Sequence, residues 1–249
     1  MLLEVQHITK SYPDKTVIED INLHLEQREL VCLSGVSGAG KTTLFHIIAG
    51  LLQPDCGQVL LDGEDITSKP GYISYMLQKD LLLPYKKVID NVCLPLRIQK
   101  ISKKKARQTA LPYFAEFGLA GTEYKYPHQL SGGMRQRAAL LRTYLSATKV
   151  ALLDEPFSAL DTITKSSMHD WYLSVMQKIN LSTLFITHDI DEAILLSDRI
   201  YILGDSPGRI IGEIAVSEPK PRAKDFCLTD QFLIYKRQIT EMLNLSALS

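Results

Sequence analysis

Residues 35–43, GVSGAGKTT, decide how this chain is read. The stretch matches GxxxxGK[ST], a loop that wraps its backbone N–H groups around phosphate oxygens. A β-carbon at Gly35 or Gly40 would obstruct that wrap, so glycine is needed at both. A helix is expected to open at about Lys41, with the positive end of its dipole aimed at the same phosphates. Lys41 can then reach the β- and γ-phosphates, and the Thr42 hydroxyl can be placed on Mg²⁺. The flanks suit the motif. The apolar run 30–33 reads as a strand, and beyond the loop Leu44, Ile47, Ile48 and Leu51 share one helical face, with Pro54 just past its end.

Farther out, VALLDEP at 150–156 is a short apolar run of the kind buried on both faces, ending in Asp154 and Glu155. In an open α/β sheet that end of a strand lies at the ligand crevice. Asp154 fits a Mg²⁺ ligand, and Glu155 fits the base that orients or deprotonates an attacking water. Residues 184–187 repeat the buried-strand pattern and run into His188. At the N-terminus, apolar Ile21, Leu23 and Leu25 alternate with polar neighbours, as in a half-buried strand of an antiparallel sheet, and 57–63 reads as a further strand. From about 86 to 146 the pattern is helical. Ser102 is a plausible N-cap, Lys103–Lys105 form a solvated face, and Pro112 should end or kink that helix or begin another. The reading is a parallel α/β core interrupted by a helical lobe. In the tail, residues 229–249, Phe232, Tyr235, Ile239, Met242 and Leu243 share a helical face behind a possible Thr229 cap. That face suits packing on the chain's own domain, 1–228, better than docking to a partner.

The chain has 249 residues, enough for a full core, and 45% of them are hydrophobic. Its 28 basic and 28 acidic residues leave no net charge, which argues against a broad electrostatic grip on nucleic acid. Cys32, Cys56, Cys93 and Cys227 form no CxxC pair and read as buried, reduced thiols of a cytosolic protein. The opening MLLEVQHITKSY is too polar for a signal peptide, and no run approaches the roughly 18 apolar residues of a membrane span. Any link to a membrane is therefore expected to run through a partner.

A phosphate loop and an acidic strand end are shared by kinases, GTPases and helicases. LSGGMRQR at 130–137 separates them: it resembles the signature of the ABC ATPases, and the likeness covers about residues 2–215. Physically, Ser131 and the glycines that follow open a helix and form a second anion cradle. The resemblance implies a P-loop NTPase (RecA-like) core with an antiparallel β subdomain and an inserted α-helical subdomain. It implies ATP hydrolysis with Mg²⁺ by a head-to-tail pair of copies. Nucleotide contacts fall on Tyr12, stacked on adenine, on Gly35, Val36, Ser37, Gly38, Ala39, Gly40, Lys41, Thr42 and Thr43, and on the hinge glutamine Gln78. Leu130, Ser131, Gly132, Gly133 and Met134 would meet the ATP of the other subunit, although Met134 departs from the usual glutamine. Ser158, Ala159, Leu160 and Asp161 resemble the loop that crosses the dimer interface. Lys41, Glu155 and the switch histidine His188 are the catalytic set; Thr42, Gln78 and Asp154 are the Mg²⁺ set.

One cassette without a spanning segment looks like the separate ATPase subunit of a bacterial-type importer. It would sit on the cytoplasmic face of the membrane with an integral-membrane permease and, indirectly, an extracytoplasmic solute-binding protein. DLLLPYKKVIDNV after Gln78, LLRT from 140 and SPGRI at 206–210 are similar to the nitrate, sulfonate and taurine group. YMLQKDLLLP at 75–84 and ALLRT at 139–143 lean toward importers of thiamine-related pyrimidines. The apolar, aromatic-tipped stretch 81–85 directly after Gln78 is a candidate permease contact or a piece of packing inside the lobe. A soluble ABC ATPase acting in translation or DNA repair is the alternative, although such proteins usually carry two cassettes or long coiled-coil insertions. A purely structural nucleotide-binding module is opposed by Glu155 and His188 together.

Overall fold

The computed structural model describes the chain apart from residues 147, 159–161, 177, 180, 224 and 248–249, with backbone but no side-chain detail at 162–164, 166 and 246–247. β1 (Leu3–Tyr12) and β2 (Lys15–Leu25) form a long hairpin, and β3 (Leu30–Gly35) runs through a loop into α1 (Lys41–Ile48). β4 (Cys56–Leu61), β5 (Glu64–Asp65) and β6 (Ser74–Met76) follow. Next come four helices, α2 (Val88–Val92), α3 (Leu94–Ile98), α4 (Lys103–Glu116) and α5 (Gly132–Tyr144). The chain then alternates: β7 (Val150–Asp154), α6 (Thr162–Met176), β8 (Ser182–Ile186), α7 (Ile190–Leu196), β9 (Arg199–Gly204), β10 (Arg209–Ala215) and α8 (Asp230–Ala247).

Two sheets result. One is antiparallel, in the order β2-β1-β4-β5; the other runs β10-β9-β3-β8-β7-β6 and is parallel except for the β9–β10 pair. β3, β7 and β8 are buried along their whole length, as strands covered on both faces must be. Their side chains alternate between two cores. Cys32, Ala151, Leu153 and Phe185 join the core shared with the helices, whereas Val31, Leu33, Leu152 and Leu184 join that shared with α1 and the antiparallel sheet. The carboxyl ends of β3, β6, β7 and β8 therefore open on one edge.

Several sequence expectations change on contact with the fold. Leu51 is 61% exposed, because α1 stops at Ile48 and Gly50, at φ 73°, turns the chain away. Pro112 does not end its helix; α4 runs through it to Glu116. Gln108, whose carbonyl loses its partner at Pro112, lies on the solvent face, and burial of Ala106, Ala110 and Phe114 holds the opposite face. Cys32 and Cys93 are buried, but Cys56, at the start of β4, and Cys227, in the 3-10 turn Phe226–Leu228, are exposed. Ser102 does cap α4 and Thr229 caps α8, each hydroxyl accepting a backbone N–H at 3.3 Å. Phe232, Tyr235 and Ile239 of α8 are buried, and Tyr235 Oη accepts from Ser217 N at 3.3 Å, so α8 packs on its own chain. Among the described residues no helix is long and apolar enough to cross a membrane.

One polar side chain organises the segment that leaves β6. Asn91 is fully buried in α2; its Oδ1 accepts from Leu83 N at 2.7 Å and its Nδ2 donates to the carbonyls of Leu83 and Lys86, both at 3.1 Å. Removal would leave the Leu83 N–H and the Lys86 carbonyl without these partners in a half-buried segment, at up to about 1–3 kcal/mol for each, while the Leu83 carbonyl keeps its bond from Lys86 N. Asn91→Ala is therefore expected to lower the unfolding free energy by about 2–4 kcal/mol, seen as a fall in denaturant midpoint with the slope unchanged. A midpoint within error of the parent would show that the segment is held by other contacts.

Candidate nucleotide site

The phosphate loop leaves β3 at Gly35 and enters α1 at Lys41. The glycines at its ends are required by the scaffold rather than by the wrap alone. A β-carbon on Gly35 would overlap the Leu203 carbonyl oxygen of β9, and one on Gly40, which sits at φ 98°, would overlap the Ile18 side chain of β2. Gly208 abuts the loop, where a β-carbon on it would overlap the Ala39 carbonyl oxygen, and it is held to β2, its N–H donating to Val17 O and its carbonyl accepting from Glu19 N, both at 2.9 Å. Ser37, Gly38 and Thr42 are exposed, Val36, Gly40, Lys41 and Thr43 are half-buried, and Ala39 is buried. Lys41 Nζ donates to the carbonyls of Gly35 and Val36 at 2.8 Å, which folds the ammonium over the loop. Burial pulls the Lys41 pKa down, against the charges of Glu155 and Asp154.

Three further strand ends deliver the polar groups. Glu155, directly after β7, adopts φ 46°, and its N–H donates to Ile186 O of β8 at 3.0 Å. Its Oε2 accepts from Gln78 Nε2 at 2.8 Å, and its Oε1 lies 3.2 Å from His188 Nδ1. Gln78 and His188 themselves are exposed. Asp154, the last residue of β7, is 9% exposed and accepts from the Tyr75 hydroxyl at 3.2 Å. Burial raises its pKa, and the Tyr75 bond opposes the rise. Behind His188, Asp189 caps α7 and pairs with Lys165 of α6 at 2.9 Å. The structure thus brings Lys41, Gln78, Asp154, Glu155 and His188 to one edge of the parallel sheet.

Other expected residues stand apart. Tyr12 ends β1, 48% exposed, with Lys10 Nζ 5.9 Å from its ring centroid. Ser131 caps α5, its Oγ accepting from Met134 N at 3.3 Å; Gly132 and Gly133 form the first turn, Leu130 is buried, and Met134 packs on the helical core. Among the described residues no hydrogen bond or ion pair joins 130–134 to the loop 35–43. Ser158 Oγ donates to Glu155 O at 3.0 Å, while Ala159, Leu160 and Asp161 lie outside the described residues. Leu82, inside the stretch read as a permease contact, is 7% exposed and belongs to the core; Leu81 and Tyr85 are the exposed members, at 52% and 72%.

Among the described residues no group of three or more His, Cys, Asp or Glu side chains forms a metal cage. Mg²⁺ bound with a nucleotide needs none, because it takes one or two protein oxygens together with phosphates and water. The Asp154 carboxylate and the exposed Thr42 hydroxyl are hard oxygen donors of that kind, so the residues fit the ion.

Sequence reasoning passed over the straps around this edge. Arg142 donates to the carbonyls of Asp80 at 2.6 Å and Leu81 at 3.0 Å, and Arg135 Nε donates to Asp80 Oδ2 at 3.2 Å. Together they tie α5 to the segment just beyond Gln78. Arg135 and Arg142 are seven apart on one helix, two turns along the same face, which was the available signal. Tyr75 had no signal of its own.

Residues 18–158 match the ABC transporter family. The formylaminopyrimidine import ATP-binding protein ThiZ of Halalkalibacterium halodurans is 44% identical over 216 residues, which cover 86% of this chain and 84% of that protein. The nitrate import ATP-binding protein NrtD of Synechocystis is 36% identical over 253 residues, covering 98% and 95%. A dimeric post-hydrolysis structure of the ATP-binding cassette MJ0796, bound to ADP and Pi, superposes with a TM-score of 0.75 at 26% identity, over 88% of this chain and 100% of that one.

The position of Glu155 between Gln78 and His188 generates a direct expectation. Glu155→Gln keeps the side chain's size and removes its basicity. ATP turnover, followed by phosphate release, should fall by about 10²–10⁴-fold, with the affinity for a fluorescent ATP analogue retained. Turnover within twofold of the parent would take the base role away from Glu155.

Proposed function

Because the chain belongs to the ABC transporter family, we propose that it is the ATP-hydrolysing subunit that energises an importer of a small organic solute or anion. It is an ATPase coupled to transport, with an α/β P-loop fold that carries an antiparallel sheet and an inserted set of helices. The observation that carries the reading is the Glu155 carboxylate held between Gln78 and His188 on the same sheet edge as the phosphate loop.

In this reading the loop 35–43 and Lys41 grip the phosphates, and Tyr12 stacks on adenine. Thr42 and Asp154, with Gln78 nearby, would hold the Mg²⁺ that accompanies the nucleotide, which would supply charge neutralisation to the phosphates. Glu155 orients the water and takes its proton, and His188 steadies the γ-phosphate. Ser131, Gly132, Gly133 and Met134 of a second copy, with the loop 158–161, close the site from the other side. The dimeric state of the solved cassette supports that arrangement. The other partners are an integral-membrane permease and, through it, an extracytoplasmic solute-binding protein. The subunit then works as a peripheral protein on the cytoplasmic face.

The permease contact is assigned to the exposed part of the segment after Gln78. Leu81 and Tyr85 present apolar surface there, strapped to the signature helix α5 by Arg142. Tyr85→Asp and Leu81→Asp should each reduce reconstituted transport at least tenfold and leave the basal ATPase of the isolated subunit within about twofold. Normal transport in both would move the docking surface elsewhere. Leu82→Asp is the wrong probe, because Leu82 is core.

For the cargo, we put a thiamine-related pyrimidine first and sulfonates, taurine or nitrate second. The 44% identity to a formylaminopyrimidine import protein against 36% to a nitrate import protein supports that order. A strain lacking this gene and blocked in pyrimidine-precursor synthesis should need far more external precursor, and thiamine should still rescue it. Unchanged uptake of labelled precursor would discard the pyrimidine and leave the ATPase reading intact.

A further inference from the structure

β6 pairs with β7 in parallel, Tyr75 opposite Leu152. Side chains alternate along a strand, so Tyr75, Leu152 and Asp154 lie on one face of the sheet. That face is covered by α1. The Tyr75 ring makes T-shaped contacts with two α1 rings, Phe45 at 6.0 Å and 76° and His46 at 5.8 Å and 70° between centroids and planes. Edge-on contacts on two successive residues fix the plane of the ring. Its hydroxyl is then delivered to Asp154 Oδ2 at 3.2 Å. Among the described residues this is the one hydrogen bond made by the Asp154 side chain, and it leaves Oδ1 unengaged.

We infer that Tyr75 is a positioning residue for the Asp154 carboxylate, holding Oδ2 by a hydrogen bond from an α1-packed ring so that Oδ1 is presented to the nucleotide-bound divalent cation. The inference rests on the reading of Asp154 as a Mg²⁺ ligand. The physical reason is general. A ligating carboxylate that can rotate about its χ angles must be ordered when the ion binds, whereas one already held by an outer hydrogen bond is ordered beforehand. Loss of such an outer partner typically weakens metal affinity about 10–100-fold. Tyr75 touches neither nucleotide nor ion in this role; it acts through Asp154.

Tyr75→Phe isolates the hydroxyl, because the phenylalanine ring keeps the contacts with Phe45 and His46. Equilibrium binding of a fluorescent ATP analogue is measured first in EDTA and then across a Mg²⁺ titration, with Asp154→Asn and the double variant alongside. Binding in EDTA should match the parent, and the Mg²⁺ midpoint should rise about tenfold or more. On the Asp154→Asn background, Tyr75→Phe should add nothing. An unchanged or lowered midpoint in Tyr75→Phe, with a clear shift in Asp154→Asn, overturns the positioning role alone. Equal weakening with and without Mg²⁺ also overturns it, since that is the signature of a disturbed fold. If Asp154→Asn itself leaves the midpoint in place, the metal reading of Asp154 fails and the role of Tyr75 falls with it.

Discussion

The carboxylate of Glu155 is the knot of the structure. One oxygen accepts from Gln78 at 2.8 Å, the other faces His188 at 3.2 Å, and the backbone N–H of the same residue bonds to the end of β8. Three strand ends are thereby tied at one point. A parallel sheet makes this possible, because each crossover returns the chain in the same direction and every carboxyl end opens on the same edge. The arrangement also has a local cost. Glu155 sits at φ 46°, where a residue with a side chain is strained, typically by about 1–3 kcal/mol. The surrounding bonds fix that conformation, and it turns the carboxylate out of the sheet toward the phosphate loop.

Outside that knot, ion pairs and hydrogen bonds tie the segments around the site to neighbouring helices. Asp80, two residues beyond Gln78, is bound to Arg135 and Arg142 of α5, so the segment leaving the site is attached to the helix that Ser131 caps. Lys165 of α6 is bound to Asp189, next to His188, and lies 3.7 Å from the buried Glu192. Each strap is partly exposed and modest in energy. Their geometric effect is larger than their stability. They join the residues next to Gln78 and His188 to α5 and α6 by short covalent and hydrogen-bonded routes.

Much of this was legible in the sequence, for identifiable reasons. The phosphate loop, the acidic strand end after 150–153 and the helix opened by Ser131 are each encoded in fewer than ten consecutive residues, with steric or electrostatic demands that few residue types meet. The cores of β3, β7 and β8 follow from unbroken apolar runs. Features that depend on which element lies alongside were not legible. Leu51 fits the helical period of α1, but the helix ends before reaching it. Pro112 carries a helix-breaking signal that burial of Ala106, Ala110 and Phe114 overrides. Leu82 and Tyr85 sit three apart in one stretch, and only the path of the chain buries the first and exposes the second. Gly35 was singled out for the phosphate wrap, whereas the closest obstacle to a side chain there is the carbonyl of Leu203 on the neighbouring strand.

The two candidate anion cradles stand apart within one copy of the chain. A phosphate group in the loop 35–43 would be ringed by backbone N–H groups and Lys41 on one side only. The second cradle, the capped start of α5, makes no hydrogen bond or ion pair with that loop among the described residues. Its cap residue Ser131 is exposed, and the residues after it, 132–134, are half-buried. Electrostatic stabilisation of a developing charge is strongest where donors surround it and water is excluded. In the proposed reading, one copy of this chain supplies the base, the lysine and the donors of the loop 35–43, and a second copy supplies the capped start of α5. Head-to-tail pairing of two copies would, in that reading, bring both cradles onto one nucleotide, once for each copy.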